Sequence, residues 1–147
     1  MKIDKFTDEF AFLSNFFPAT ILHKGIVYPT VEHAFQASKV GVSPLYNREF
    51  VRKQISLAST PGRAKRLGQK VVLRKDWNKV RLVVMSILVF KKFANYIVLK
   101  QQLLDTGDAI LIEGNGWHDK FWGICDGVGQ NWLGKILMEV REGFNNG

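Results

Sequence analysis

Apolar residues recur every three or four positions over several long stretches of the chain, and strict alternation is confined to short ones. From Trp77 this spacing predicts one long helix that continues toward Phe93. Its apolar face is formed by Val80, Val84, Ile87 and Leu88. The same periodicity predicts a helix from about Asn95 to Leu104 and a last helix that begins near Asn131. The pattern therefore favours a helix-rich domain.

A capping residue stands at the start of three further predicted helices. Thr30 can cap a helix that includes residues 31–39. Ser43-Pro44 and Thr60-Pro61 each pair a capping hydroxyl with a proline, which suits the first turn of a helix. The predicted bounds of these two helices are 44–58 and 61–67, the second closed by Gly68.

Strand signals are short and few. The candidates are residues 19–22 and 26–28, joined as a hairpin through 23–25, and the isolated stretches 71–73 and 109–112. Residues 6–17 are rich in Phe and should pack on the core. The glycine-rich stretch 114–131 predicts a long loop, which at this length is either functional or poorly ordered. No strand–helix alternation is present, so we predict an α+β fold: one compact helix-rich domain over residues 1–147 with a few short β-strands.

Three polar residues of the helix after Thr30 fall on one stripe. Glu32, Gln36 and Lys39 are spaced i, i+4, i+7, which places them within about 60° of each other around the helix axis. A carboxylate near an amine can tune both groups for proton transfer, and a lysine amine can attack an aldehyde-like carbon. The alternative is that Glu32 only complements the helix dipole and that Lys39 is an ordinary surface residue. His33 lies off the stripe, and we expect it to be a packed structural residue.

The charge of the chain is concentrated in one block. Residues 48–81 contain eleven Lys and Arg against Glu49 and Asp76, a net of +9 in a chain whose total is +8. Such a block suits a phosphate-bearing partner, either nucleic acid or a phosphorylated small molecule, although solvated helix faces can have the same composition.

The cysteine count and the absence of a long apolar run limit the remaining possibilities. Cys125 is the one cysteine, which excludes an internal disulfide and a Cys-cluster metal site and favours a reducing compartment. His23 and His118 lack metal-ligand spacing, so we assign no metal and no cofactor. The longest apolar-rich run, residues 82–90, is far shorter than the roughly 20 residues of a membrane span, and no signal peptide is visible. We therefore expect a cytoplasmic protein without a membrane partner; its oligomeric state stays open.

The predicted loop contains two further candidates for ligand binding. Gly127-x-Gly129 precedes a helix, but no βαβ unit surrounds it, so a dinucleotide fold is not supported. Exposed amides at this helix start, together with Asn131, could still hold a phosphate or ribose. Trp122 lies off any periodic face and could stack on a base or pack in the core.

Taken in order, the motifs resemble the NADAR family, also called YbiA-like, over nearly the whole chain. The motifs are Leu13-Ser14-Asn15-Phe16, Thr30 to Lys39, Ala64 to Gly68, Arg74 to Asn78, Lys92-Phe93, Leu104 to Asp108, Asp119 to Gly123, Gly129 to Gly134 and Leu137 to Arg141. Each motif alone is weak, but the series in this order is highly specific.

The resemblance implies a compact, mostly helical α+β fold and an N-glycosidase activity. Family activities fall in two branches, one acting on phosphoribosylamino pyrimidines of early riboflavin synthesis and one removing ADP-ribose from guanine in nucleic acid. Both cleave a bond between ribose C1 and an exocyclic amine of a base. By the resemblance, Glu32 and Lys39 match the catalytic positions. The residues that fall in ligand-facing motifs are Asn15, Phe16, Gln36, Trp77, Glu113, Trp122, Gly123 and Asn131.

Two mechanisms and one non-enzymatic role follow from this resemblance. Lys39 could form a transient Schiff base at C1 while Glu32 moves the protons and Gln36 orients the sugar. In the simpler mechanism, Glu32 activates water and Lys39 supplies charge only. We expect the substrate to be ADP-ribosylated guanine in nucleic acid, because the basic block exceeds what one small phosphate requires. Riboflavin intermediates and a non-catalytic binder of ADP-ribose or nucleic acid are the alternatives.

Overall fold

The structure, a computed structural model, describes all residues from Met1 to Gly147. Its regular elements are β1 (Lys2–Ile3), a 3-10 helix (Asp8–Leu13), β2 (Ile21–His23), β3 (Ile26–Tyr28), α1 (Val31–Ser38), α2 (Arg48–Ser56), α3 (Pro61–Gly68), α4 (Trp77–Asn95), α5 (Ile97–Asp105), β4 (Ile110–Leu111) and α6 (Trp132–Asn146). Contacts divide the chain into two compact units. One unit is Pro18–Leu88, and the other combines Met1–Phe17 with Val89–Gly147, so the division falls within α4.

The Pro18–Leu88 unit begins with the predicted hairpin. Strands β2 and β3 pair antiparallel with Ile21 opposite Tyr28, and the turn uses Lys24 and Gly25, both at positive φ. A lysine in the left-handed region followed by glycine is the backbone that a tight two-residue hairpin requires. The hairpin prediction is therefore confirmed, with the first strand shifted toward the turn.

Helix starts in this unit follow the local capping chemistry. Thr30 and Thr60 accept hydrogen bonds from the third residue of α1 and α3, as predicted. The prediction that a helix begins at Pro44 is wrong, because α2 begins at Arg48. Its N-cap is Asn47, whose side chain accepts a hydrogen bond from Phe50 N at 3.0 Å. The strand expected over residues 71–73 is also wrong: only an isolated bridge joins Leu73 to Val40.

The core of the Pro18–Leu88 unit gathers around α1. All eight residues of this helix are buried, and it packs against both α2 and α3. The fully buried apolar residues of this unit include Ile21, Val31, Ala34, Val40, Ile55, Ala64 and Leu88. Polar residues of α1 are thus enclosed rather than exposed, which is the first structural sign of a functional role.

The other unit is built from both chain ends. Strand β1 pairs in parallel with β4, with Ile3 beside Leu111, and α6 packs against β4 and α5. The predicted strand over residues 109–112 is confirmed in its central two residues, but the sequence pattern did not indicate β1. Within the Phe-rich N-terminal segment, Phe12 and Leu13 are buried as expected.

The stretch 114–131 has no helix or long strand, as predicted, yet its backbone is well bonded. Ile124 N donates to Glu113 O at 2.9 Å, and Asn115 N donates to Ile124 O at 3.0 Å. The Asn115 side chain also donates to Asp119 O at 2.8 Å and accepts from Asp119 N at 3.0 Å. The loop is therefore held in a defined conformation by its own polar groups.

No single helix has both the length and the apolar character that crossing a membrane requires; only α4 and α5 taken together, with a 107° bend between them, meet those two criteria.

Candidate active site

The predicted acid–amide stripe is present on α1. Gln36 Nε2 donates a 2.8 Å hydrogen bond to Glu32 Oε1, and the two residues are 4% and 8% exposed. The spacing i, i+4 sets this contact, since residues four apart lie one above the other on a helix. Burial of an acidic side chain is costly unless it is bonded, and the Gln36 amide supplies one such bond. The helix therefore holds the Glu32 carboxyl in one orientation.

Gly68, the last residue of α3, lies directly against this stripe. A Cβ on Gly68 would overlap Gln36 Oε1 and would lie only 2.9 Å from Lys39 Cε. Gln36 Oε1 is buried and accepts no hydrogen bond. One backbone position thus contacts both the amide end and the lysine stem, and only glycine leaves room for them.

Lys39 is the half-buried C-cap of α1, next to the same stripe. Burial lowers the pKa of the Lys39 amine from its usual value; the Glu32 carboxylate raises it in part, and the cation of Lys65 lowers it further. A larger fraction of the amine is therefore neutral at a given pH than in an exposed lysine. That is the state a lysine nucleophile requires.

His33 is a packed structural residue, as expected. It is 1% exposed, with Nδ1 2.7 Å from Thr30 Oγ1 and Nε2 3.0 Å from Ala58 O. Because a carbonyl can only accept, Nε2 carries a proton, and in the neutral ring Nδ1 then accepts from the threonine hydroxyl. Thr30 Oγ1 in turn accepts from His33 N, so one threonine fixes both the helix start and the histidine.

Trp77 has a different environment from the one expected of a ligand-binding residue. It is 7% exposed, and its ring lies 5.1 Å from the ring of Phe35. Phe35 neighbours Gln36 in α1, so this contact supports the helix that carries the stripe. The geometry favours a packing role for Trp77, and its predicted ligand contact stays a prediction.

Six predicted binding residues lie in the unit formed by the chain ends: Asn15, Phe16, Glu113, Trp122, Gly123 and Asn131. Asn131 is buried at positive φ; its Oδ1 accepts from Glu113 N at 3.0 Å, and its Nδ2 donates to Leu111 O at 2.9 Å. A Cβ on Gly123 would overlap Glu113 O. Asn131 and Gly123 therefore fix the backbone at Glu113, and their predicted ligand contacts stay predictions.

Trp122 is half-buried and packs edge-on to Phe121, with the ring centroids 4.8 Å apart. The Asp119 carboxylate accepts from Trp122 N at 2.9 Å, which orients the residue at the loop turn. An indole that is held from one side and partly open on the other remains available for stacking.

Asn15 and Phe16 follow the 3-10 helix at the N-terminus of the chain. Phe16 is 45% exposed, and its backbone N–H is bound by Ser14 Oγ at 3.1 Å. The backbone of this segment is held by Lys92, which is 1% exposed and donates to Phe12 O at 2.6 Å and to Ser14 O at 2.9 Å.

Lys92 was not singled out by the sequence analysis as a functional residue. Burial lowers its pKa to about 7, and the Glu113 carboxylate opposes this shift. Its position in α4 follows the buried Leu88 and Val89 by four and three residues, so the helical period alone placed it on the apolar face. A lysine at an apolar position of a predicted helix therefore indicates a buried amine, and this signal was available in the sequence.

A cavity of about 820 Å³ opens on the other side of α1, within the Pro18–Leu88 unit. Ala37 and Ser38 line it, whereas Glu32, Gln36 and Lys39 do not. Its remaining walls include aliphatic residues of α4 and the cations Lys24, Arg48 and Lys75. The cavity therefore adds to the basic surface and is not the location of the predicted chemistry.

Fold and site together define a helix-rich α+β domain with a buried acid and a partly desolvated amine on one helix, an arrangement suited to acid–base or nucleophilic chemistry. The chain belongs to the NADAR domain family, whose model matches residues 3–145. This confirms the family resemblance.

Comparison with individual proteins agrees with the family. The chain is 38% identical over 142 residues to a Nostoc punctiforme protein named an N-glycosidase, covering 90% of this chain and 85% of that protein. It is 37% identical over 147 residues to the Zea mays protein named riboflavin biosynthesis protein PYRR, chloroplastic. That alignment covers 91% of this chain but spans only 23% of the maize protein.

A solved structure confirms the fold class. The NMR structure of the Escherichia coli protein YbiA matches 99% of this chain and 84% of its own, with a TM-score of 0.82 and 34% sequence identity. The predicted helix-rich α+β fold is therefore correct.

Proposed function

We propose that this protein is an N-glycosidase that cleaves the bond between ribose C1 and an exocyclic amine of a base, and that its substrate is ADP-ribosylated guanine in nucleic acid. The observation that carries the proposal is the buried Glu32–Gln36 pair beside Lys39, whose pKa is lowered. The relative named an N-glycosidase supports the reaction class.

The proposed reaction begins with ring opening of the ribosylamine to an imine at C1. The neutral Lys39 amine adds to C1, and the base leaves as its free amine after Glu32 has delivered a proton to the departing nitrogen. A new imine now joins C1 to Lys39. Water adds to it with Glu32 as base, which returns the free sugar and the lysine amine. Gln36 holds the carboxyl that moves these protons.

In the simpler mechanism, Glu32 activates a water that attacks C1 directly, and Lys39 contributes charge only. The two mechanisms differ in whether a covalent adduct forms. Borohydride added during turnover reduces an imine and leaves the sugar attached to Lys39, which mass spectrometry of tryptic peptides detects. A turning-over enzyme without this adduct refutes the imine mechanism but leaves the glycosidase proposal standing. Lys39→Arg removes the amine that would form the imine and should give no adduct, whereas Lys70→Arg, at an exposed lysine of the same unit, should still give it.

The choice of nucleic acid is supported by the basic block over residues 48–81. Its two acids are each paired with an arginine of the block, Glu49 with Arg52 at 2.8 Å and Asp76 with Arg74 at 2.6 Å. Nine Lys and Arg side chains stand outside these pairs, and most of the block's cations are exposed. A polyanion gains from such a surface through release of its counterions, whereas one small phosphate does not require it.

The second candidate substrate is a phosphoribosylamino pyrimidine. The specific observation in its favour is the maize relative named as a riboflavin biosynthesis protein. The chain matches less than a quarter of that protein, so this relative supports the alternative only for the shared domain.

The deciding experiment incubates the protein separately with an ADP-ribosylated guanine oligonucleotide and with a phosphoribosylamino pyrimidine. We expect the protein to release unmodified oligonucleotide. This release should fall steeply between about 50 and 200 mM salt, by orders of magnitude if the protein contacts several phosphates. Turnover of the pyrimidine alone refutes the nucleic-acid proposal. A protein that binds the modified oligonucleotide without turnover, and whose binding Glu32→Ala leaves unchanged, is a non-catalytic binder.

A further inference from the structure

Three potential metal ligands meet in the 114–131 loop of the unit formed by the chain ends. The side-chain donor atoms of His118, Cys125 and Asp126 all lie within 4.8 Å of one another. Cys125 Sγ is 4.0 Å from His118 Nδ1 and 3.8 Å from Asp126 Oδ2. The cysteine is 1% exposed, while the other two ligands are exposed. The cluster is thus a thiol at the base of a site whose imidazole and carboxylate face solvent.

The two separations from the sulfur are close to those of a tetrahedral zinc site. With zinc–sulfur bonds near 2.3 Å and zinc–nitrogen or zinc–oxygen bonds near 2.0–2.2 Å, neighbouring ligand atoms are separated by about 3.3–3.6 Å. The two sulfur distances exceed this range by only a few tenths of an ångström. His118 and Asp126 lie within 4.8 Å of each other, and because both side chains are exposed, their rotation can bring all three ligand atoms to the tetrahedral separations.

The loop backbone already holds the three residues in place. Cys125 and Val128 exchange backbone hydrogen bonds at 2.9 and 3.0 Å, which fixes the turn that carries Asp126. On the other side, the Asn115 side chain bonds both the N–H and the carbonyl of Asp119, directly after His118. Ligand positions supported in this way cost little to organise when an ion binds.

We propose that His118, Cys125 and Asp126 form a zinc-binding site with its fourth position open to solvent. A thiolate, an imidazole and a carboxylate are a ligand set that suits Zn²⁺ and not the harder Mg²⁺ or Ca²⁺. No metal was expected from the sequence, because Cys125, His23 and His118 lack the spacing of metal ligands. The fold of the loop brings together residues that the linear spacing separates.

The site has a consequence for the loop that contains it. Trp122 and Gly123 lie between His118 and Cys125 in sequence, so an ion bound by these two residues links both ends of the segment that carries Trp122. Binding requires deprotonation of the thiol, and therefore it releases a proton and weakens as the pH falls. The proposal does not depend on the glycosidase activity.

The test uses the full chain without a purification tag, freed of metal with a chelator and titrated with Zn²⁺ by calorimetry and with Co²⁺ by absorbance. We expect one ion per chain at micromolar protein, a near-ultraviolet sulfur-to-cobalt band and the visible bands of a tetrahedral ion. Cys125→Ser should abolish the sulfur band, and His118→Ala and Asp126→Asn should each weaken binding about tenfold or more. His23→Gln and Asp108→Asn, at sites outside the cluster, are the matched controls.

Circular dichroism of each metal-free variant tests whether that variant is folded. Should a variant not fold, the wild-type chain still gives a result, because bound Zn²⁺ should slow alkylation of Cys125 by iodoacetamide. A Co²⁺ complex without a sulfur band, affinity unchanged in Cys125→Ser, or no binding at micromolar concentration overturns the proposal. In those cases the contact between Cys125 and Asp126 is only a weak S–H hydrogen bond to the carboxylate.

Discussion

Gly68→Ala tests whether catalysis depends on the exact positions of Glu32, Gln36 and Lys39, the acid–amide–amine stripe of α1. The added methyl would overlap Gln36 Oε1 and stand 2.9 Å from both Gln36 Cδ and Lys39 Cε. Carbon atoms in contact are normally about 3.5–4.0 Å apart, so both side chains must withdraw by roughly 0.6–1 Å. The hydrogen bond from Gln36 to Glu32 is displaced with them.

The expected effects on stability and on rate differ in size. Overpacking costs about 1–3 kcal/mol, and alanine in place of a helical glycine returns about 1 kcal/mol, so the free energy of unfolding should fall by about 0–2 kcal/mol. A displacement of about 1 Å at the reacting groups can lower the rate about 10²-fold. We therefore expect a folded protein whose kcat is strongly reduced.

The assay is steady-state turnover of whichever substrate the wild-type protein accepts, with urea denaturation of the same samples. Gly62→Ala is the matched control, since it lies in the same helix and its added Cβ would meet only Thr60 Oγ1, at 3.9 Å. That variant should keep its kcat and match or exceed wild-type stability. If Gly68→Ala turns over within threefold of the wild-type rate while folded, the stripe does not require this geometry and the argument is refuted.

Two further predictions concern lysines with lowered pKa. Because the Lys65 cation lowers the pKa of Lys39, Lys65→Gln should raise that pKa and move the rise of kcat/KM to higher pH. Arg66→Gln is the control and should leave the pH profile unchanged. An unchanged profile in Lys65→Gln would contradict a neutral Lys39 nucleophile. Lys92 has a folded-state pKa of about 7, below its unfolded value near 10.5, so the folded state holds fewer protons between these values and its stability should increase with pH there. Urea denaturation at pH 7 and pH 9 should show this increase in full in the wild type and in Lys70→Met. It should be smaller in Lys92→Met, where Lys39 still has a lowered pKa, and an equal increase in all three would exclude Lys92 as its source.

Elements with a local cause could be predicted from the sequence. Thr30 and Thr60 cap their helices through contacts within three residues, and the Lys24-Gly25 turn is set by two backbone dihedral pairs. The stripe on α1 was also predictable, because the helical period alone places Gln36 over Glu32.

Features that depend on distant parts of the chain were not predictable in this way. Strand β1 forms by pairing with β4, where Ile3 lies beside Leu111, more than a hundred residues away in the sequence. Gly68 looked like a helix terminator, and its approach to Gln36 depends on how α3 packs on α1. Asn131 carries a helix-start signal, yet its amide binds Leu111 O and Glu113 N instead.

One cation of the basic block also acts on Lys39, in addition to the burial that chiefly lowers the pKa of that amine. Lys65 belongs to the block that is proposed to attract a polyanion, and it also lowers the pKa of Lys39. Added salt screens both effects, but to different degrees, because the half-buried pair is screened less than exposed cations are. Salt should therefore raise KM for an oligonucleotide substantially while moving the pH profile of kcat only slightly. Replacement of Lys65 should raise KM little, since it removes one cation of eleven from the surface. It should move the pH profile of kcat upward, since that cation lowers the pKa of Lys39.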